Sequence, residues 1–172
     1  MEFLAPYVES GRGVYFKADN GLYLSVIKKG PPPQDLQSWF VGSHLIEATK
    51  VVKDPWCKFN IEIIDENHIY IYSPIDKKYL SRINIGEVNY IQSAKTSPDE
   101  YCKFKVFKRG EKIILKADNG KFISRIDRDW IQNNIEAAKG EIDEQGKFIL
   151  EEGKRSQERV SPCRPACTLD KN

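Results

Sequence analysis

Three stretches of this chain superimpose on one another without a gap: IEATKVVKDPWCKF (residues 46–59), IQSAKTSPDEYCKF (91–104) and IEAAKGEIDEQGKF (135–148). Their starts lie 45 and 44 residues apart, and in each copy Ile opens the block, Lys and Asp recur inside it, and Lys-Phe closes it. A second repeated block precedes each one: VYFKADNGLYLSVI from Val14, IYIYSPIDKKYLSRI from Ile69 and KIILKADNGKFISRI from Lys112, with Tyr23, Tyr79 and Phe122 in matching places. Copies of one small unit cannot each bury a face alone, so they must close on one another around a shared core.

Within the copies, apolar residues alternate with polar ones at Val14 and Phe16, Ile69 and Ile71, and Ile113 and Leu115. That is the period-2 pattern of half-buried strands. Asp19-Asn20-Gly21 and Asp118-Asn119-Gly120 tolerate positive φ and predict tight turns, and Ser73-Pro74-Ile75-Asp76 is a longer version of the same connection. The strands resume after each Lys-Phe pair, at Phe59, Ile61 and Ile63, at Phe104 and Val106, and at Phe148 and Leu150. Each unit therefore offers about four strands and no periodic stretch long enough for a stable helix. A propeller of 40–45-residue blades requires at least four blades, and three copies are too few. The expectation is an all-β chain of about twelve strands, a pseudo-threefold β-trefoil whose closed barrel removes exposed edges. Residues 1–153 form its single domain, with units at about 13–65, 66–109 and 110–153.

Two stretches stand outside the threefold pattern. KKGPPPQDLQSW (28–39) carries three consecutive prolines, which cannot join a ladder, and predicts a surface loop. Residues 154–172 have no partner copy and predict a disordered tail or linker. Cys163 and Cys167 in that tail are spaced C-x₃-C with no nearby His, so no metal is expected there.

Composition narrows the function classes. The formal charge is +2 with signs interspersed, which implies no nucleic-acid partner. No apolar run reaches the length of a membrane span, and the opening MEFLAPYVES lacks a secretory signal pattern, so a cytoplasmic or nucleocytoplasmic protein is expected. Catalytic chemistry is sparse. The two histidines, His44 and His68, sit in no recognisable triad or H-E-x-x-H context, and Gly-rich phosphate loops and G-x-S-x-G are absent. Cys57 and Cys102 occupy matching positions where the third copy has Gly146, which argues for packing rather than nucleophilicity. The expectation is a binding protein without catalytic residues, cofactor or metal.

Repetition marks scaffold, and departure from it marks candidate sites. The segment between hairpin and Ile block differs in every copy: QSWFVGSHL, NIGEVNY and DRDWIQNN. A sugar offers apolar C–H faces and hydroxyl edges, so its site needs an aromatic surface beside amides or carboxylates on a rigid scaffold. Tyr90 with Glu87 and Asn89 satisfies that description, as does Trp130 with Asp129, Gln132 and Asn133. The competing reading is that both rings pack against neighbouring units.

The runs KADNGLYLSVI, DKKYLSRI and LKADNGKFISRI, and above all YIQSAKTSPDEYCKFKVF (90–107), resemble the agglutinin domain of amaranthin-like plant lectins. The resemblance implies a metal-independent β-trefoil lectin for galactose- or N-acetylgalactosamine-containing glycans in plant defence, acting alone or as the targeting head of a toxin-like protein. The family's namesake carries two trefoils per chain and binds sugar between subunits, so the resemblance implies a homodimer for a complete site. Its binding loop corresponds here to Glu87, Val88, Asn89 and Tyr90. The same hairpin pattern occurs in fascin-like trefoils, whose resemblance implies a protein-interaction module that bundles actin; a single trefoil supplies only one filament-binding surface. Because nothing past residue 153 continues the repeat, a chain ending at Gly153 is expected to match the full chain in melting temperature. Calorimetry checks this, and a drop of several degrees would show that the tail is docked.

Overall fold

The computed structural model describes residues 2–28 and 44–153. Apart from Lys28, the proline-bearing insertion lies outside the described residues, as does the segment 154–172 with Cys163 and Cys167.

The alternating segments form twelve strands: β1 (Val14–Lys17), β2 (Tyr23–Ile27), β3 (His44–Lys50), β4 (Asn60–Ile63), β5 (His68–Ser73), β6 (Lys78–Ile85), β7 (Val88–Lys95), β8 (Phe104–Arg109), β9 (Lys112–Lys116), β10 (Phe122–Arg128), β11 (Ile131–Lys139) and β12 (Ile149–Glu152). Six of them close a barrel. β4 pairs with β5, β5 with β8, β8 with β9 and β12 with β1. Single bridges, Val14↔Phe59 and Ile113↔Phe148, join the remaining neighbours and match the ladder contact Ile69↔Phe104. The other six strands form three hairpins, β2–β3, β6–β7 and β10–β11, which cap the barrel. Their second strands pair in a cycle: Leu45↔Gln92, Tyr90↔Glu136 and Asn134↔Glu47. This is an all-β trefoil.

Phe59, Phe104 and Phe148 are 0%, 1% and 0% exposed, and Ile46, Ile91 and Ile135 are equally buried. All of these but Phe148 line, with inward residues of the barrel, a void of about 20 Å³. Ile63 departs from the expected alternation and is exposed, because burial on β4 ends at Ile61.

Helical turns appear that periodicity did not announce. Residues Pro55–Cys57, Glu100–Cys102 and Glu144–Gly146 form one 3₁₀ turn per unit. In the first two copies the preceding Asp54 or Asp99 accepts the N–H two residues on, an N-cap built into the repeat. Residues Glu2–Leu4 make a further 3₁₀ turn leading into a five-residue helix α1 (Ala5–Glu9). Leu4 is fully buried with the core, and the Tyr7 hydroxyl donates to the Leu150 carbonyl at 3.5 Å. The segment is held by that apolar anchor, since five residues are too few for a helix to persist alone. Behind it, the Gly153 N–H donates to the Gly13 carbonyl at 2.8 Å; a Cβ on Gly153 would meet the Arg12 carbonyl at 1.9 Å.

Truncation of Phe104 to Ala removes a ring from the centre of this packing. The expected cost is about 3–5 kcal/mol, read by urea denaturation, with the symmetry mates Phe59 and Phe148 costing similar amounts.

Candidate functional site

The turn aspartates bind each unit to the next. Arg82 on β6 donates Nε and Nη2 to Asp118 at 2.7 and 2.8 Å, and Arg125 on β10 does the same to Asp19 at 2.7 and 2.8 Å. The hydrogen bond from Arg125 holds the Asp19 carboxyl below its usual range. Each arginine then uses Nη1 to reach an asparagine on the neighbouring strand, Asn89 at 2.8 Å and Asn133 at 2.9 Å. In the first unit Val26 stands at the arginine position and His44 at the asparagine position. There the clasp is His44 Nδ1, 3.0 Å from Asp76 Oδ2 of the longer turn.

At this third clasp Ser93 also meets Asp76, donating its hydroxyl to Oδ2 at 2.6 Å. The residue types of a hydrolase triad are therefore assembled, a meeting no sequence motif announced. The wiring differs from nucleophilic catalysis, in which the serine proton passes to the imidazole. Here it goes to the carboxylate, and Ser93 is fully buried. His68 packs against Asp65 at 2.9 Å on an exposed turn. Cys57 and Cys102 are buried, and burial pushes both thiols up, away from the reactive thiolate.

Beside the Arg82–Asp118 clasp opens a groove of about 440 Å³ lined by Arg82, Ile83, Asn84, Lys95 and Tyr101. Tyr101 is 41% exposed, with the Arg82 guanidinium 5.2 Å and the Lys95 ammonium 5.1 Å from its ring centre. Lys95 is itself held by Asp99, which also accepts the Tyr101 N–H at 3.0 Å, so the ring is fixed at both backbone and face. Asn84 donates Nδ2 to Asn89 Oδ1 at 3.1 Å. An anchored aromatic ring, the Asn84 side-chain amide and the Arg82 guanidinium thus line one open depression.

The sequence-predicted residues divide across this region. Glu87 is exposed at the tip of the β6–β7 hairpin, and Asn89 lies behind the groove on Arg82 and Asn84. Tyr90 points the other way because successive strand residues alternate; it is 3% exposed, within a cluster that includes Leu45 and Ile131. Tyr90 therefore presents no face beside Asn89 and Glu87, a correction to the expected platform. Trp130 is half-buried against the same cluster, 6.4 Å from Tyr90 at 61°. The two aromatic candidates meet each other through packing instead of heading two separate sites. Asp129 is exposed at the β10–β11 turn, Gln132 donates to the Arg128 carbonyl at 2.9 Å, and Asn133 adopts φ 61° with its N–H on Asp127 at 2.8 Å. Sequence reasoning missed Tyr101, because it sits inside the repeated block. Its signal was the variation Trp56, Tyr101 and Gln145 at one position of that block.

Below the hairpins, equivalent Glu47, Gln92 and Glu136 are buried around the axis. Arg128 reaches in with two bonds of 2.6 Å to the fully buried Glu136, which also accepts Asn134 Nδ2 at 2.8 Å.

Among the described residues no group of three or more His, Cys, Asp or Glu side chains could hold a metal ion, and no helix is long and apolar enough to cross a membrane. No protein-family profile matches the chain, and no curated protein matches it in sequence. Solved structures match in fold. A designed threefold-symmetric protein, ThreeFoil, superimposes with a TM-score of 0.63 at 11% identity, over 80% of this chain and 97% of the design. A Caenorhabditis elegans protein of unknown function superimposes with a TM-score of 0.61 at 13% identity, over 83% of this chain and 95% of its own. At those identities the likeness is one of fold.

The Arg128→Ala variant leaves Glu136 buried without its counter-charge. The expected loss is about 3–5 kcal/mol in chemical denaturation, whereas Arg128→Lys, which keeps the charge but not the fork, is expected to lose less.

Proposed function

We propose that this chain is a non-enzymatic carbohydrate-binding module, and that the groove of Arg82, Asn84, Lys95 and Tyr101 is its sugar site. One observation carries the reading. An exposed, immobilised Tyr101 ring shares an open groove with the Asn84 amide and the Arg82 guanidinium. The ring suits the apolar C–H face of a pyranose, and the Asn84 amide oxygen with the Arg82 guanidinium edge suits its hydroxyls, since Asn84 Nδ2 is already committed to Gly86, Val88 and Asn89. The groove is open, fitting recognition of a terminal sugar rather than enclosure of one. Galactose- or N-acetylgalactosamine-terminated glycans are the proposed ligands, following the resemblance of the repeated blocks to amaranthin-like lectins. The sequence-selected loop contributes through Asn89, which sets Arg82 and Asn84 from behind.

The same position in the other units is changed. Trp56 replaces Tyr101 in the first, with the Lys28 ammonium 4.7 Å above its ring, and Gln145 replaces it in the third. One favoured site per chain follows. A single open site of this kind binds in the millimolar to high-micromolar range, and a homodimer would raise effective affinity by presenting two.

A glycan array followed by titration of the best binder tests the proposal. Tyr101→Ala and Asn84→Ala, with unchanged circular dichroism, are each expected to weaken binding at least tenfold, and Trp130→Ala to leave it nearly unchanged. If no glycan binds the parent chain, the protein-interaction reading takes over. If both groove variants bind like the parent, the site lies elsewhere.

A further inference from the structure

Pseudo-symmetry shows one seat filled in the first unit and open in the second. On the first unit's barrel wall the rings of Tyr15 and Tyr23 stand 6.1 Å apart at 66°. The Lys53 ammonium sits between them, 5.2 and 5.7 Å from their centres, and 2.8 Å from Glu151. The Tyr23 hydroxyl donates to the same carboxylate at 2.8 Å. This is a cation held by two aromatic faces and one counter-charge, entirely within the chain.

The second unit repeats the walls. Tyr70 and Tyr79 stand 5.7 Å apart at 73°, and the Tyr79 hydroxyl donates to Glu62 at 2.9 Å. Strand register makes the two sets equivalent, since Glu62 lies opposite Tyr70 as Glu151 lies opposite Tyr15. Tyr79 and Tyr23 even share the same perturbation, each hydroxyl pushed up to about 12 by burial and by its glutamate, so each stays a proton donor. The cations, however, have been replaced. Pro98 occupies the position of Lys53 in the aligned block. Tyr72 lies opposite Tyr79 where Lys17 lies opposite Tyr23 and Lys116 opposite Phe122. Tyr72 adds a third ring, 4.9 Å from Tyr79 at 60°. Among the described residues no cation lies over these three rings and none pairs with Glu62, whereas Lys116 covers Phe122 at 5.2 Å in the third unit. All three tyrosines are half-exposed and Glu62 is exposed, so the seat is reachable from solvent.

We propose that Tyr70, Tyr72, Tyr79 and Glu62 form a receptor for an alkylated ammonium group supplied from outside the chain, in the seat that Lys53 fills in the first unit. Three aromatic walls favour a weakly hydrated, methylated ammonium over a primary one, because less hydration is lost on entry, and Glu62 supplies the opposite charge. The receptor is on the wall of β4, β5 and β6 and does not depend on the proposed sugar groove.

Choline and its neutral isostere 3,3-dimethylbutan-1-ol, titrated into the full chain at constant ionic strength and followed by NMR of the tyrosine rings, separate cation binding from simple hydrophobic contact. Choline and Nε-trimethyllysine are expected to shift Tyr70, Tyr72 and Tyr79, with the isostere at least tenfold weaker. Phosphocholine is expected to bind less tightly than choline, because its phosphate faces Glu62. Tyr72→Lys, the residue type that both sister units carry there, should fill the seat internally and weaken choline at least tenfold, while Tyr72→Phe keeps the ring and the binding. Equal binding of choline and the neutral isostere, choline shifts that bypass these tyrosines, phosphocholine tighter than choline, or full binding by Tyr72→Lys would each overturn the proposal.

Discussion

The cyclic pairing of β3, β7 and β11 is the constraint on which the rest of the structure depends. Each strand presents one residue to the strand before it and another to the strand after it, in the contacts Leu45↔Gln92, Tyr90↔Glu136 and Asn134↔Glu47. Because side chains alternate, this register sends Ile46, Ile91 and Ile135 up into the barrel core and sends Glu47, Gln92 and Glu136 down. A slip of one residue in any hairpin would exchange the two sets and bury charge in an apolar core. The aspartate clasps then lock each turn onto the adjoining unit from outside.

Given that frame, individuality is confined to positions where the three copies disagree. The Arg–Asp–Asn clasp survives twice and becomes His44–Asp76 once. The outer ring after the repeated Asp is Trp56, Tyr101 or absent. On the barrel wall, lysines cover aromatic faces in the first and third units and leave them uncovered in the second. Each change sits on a strand or a capped turn whose backbone the symmetry already fixes, so surface chemistry varies without disturbing the core. The fully buried Glu136 is a different case. It departs little from its mates in sequence, yet its buried charge is held by the two short bonds from Arg128.

The repeat alone determined the all-β trefoil and its core phenylalanines, because hydrophobic alternation and threefold recurrence are local properties that survive in one dimension. It also singled out Asn89 and Asn133, which the structure places on β7 and β11 in equivalent arginine clasps rather than in unlike loops. It could not determine which way Tyr90 and Trp130 face, because that follows from cross-strand pairing among hairpins about 45 residues apart. Nor could it reveal Tyr101, hidden inside a block that reads as scaffold, or the meeting of Glu62 with Tyr70 and Tyr79 across three strands. The N-terminal 3₁₀ turn that carries Leu4 to the barrel, and the short helix after it, likewise have no periodicity of their own and are held by the burial of that side chain. Tertiary structure decided the sites, since a binding surface is made of residues that neighbouring strands bring together and no single stretch of chain contains it.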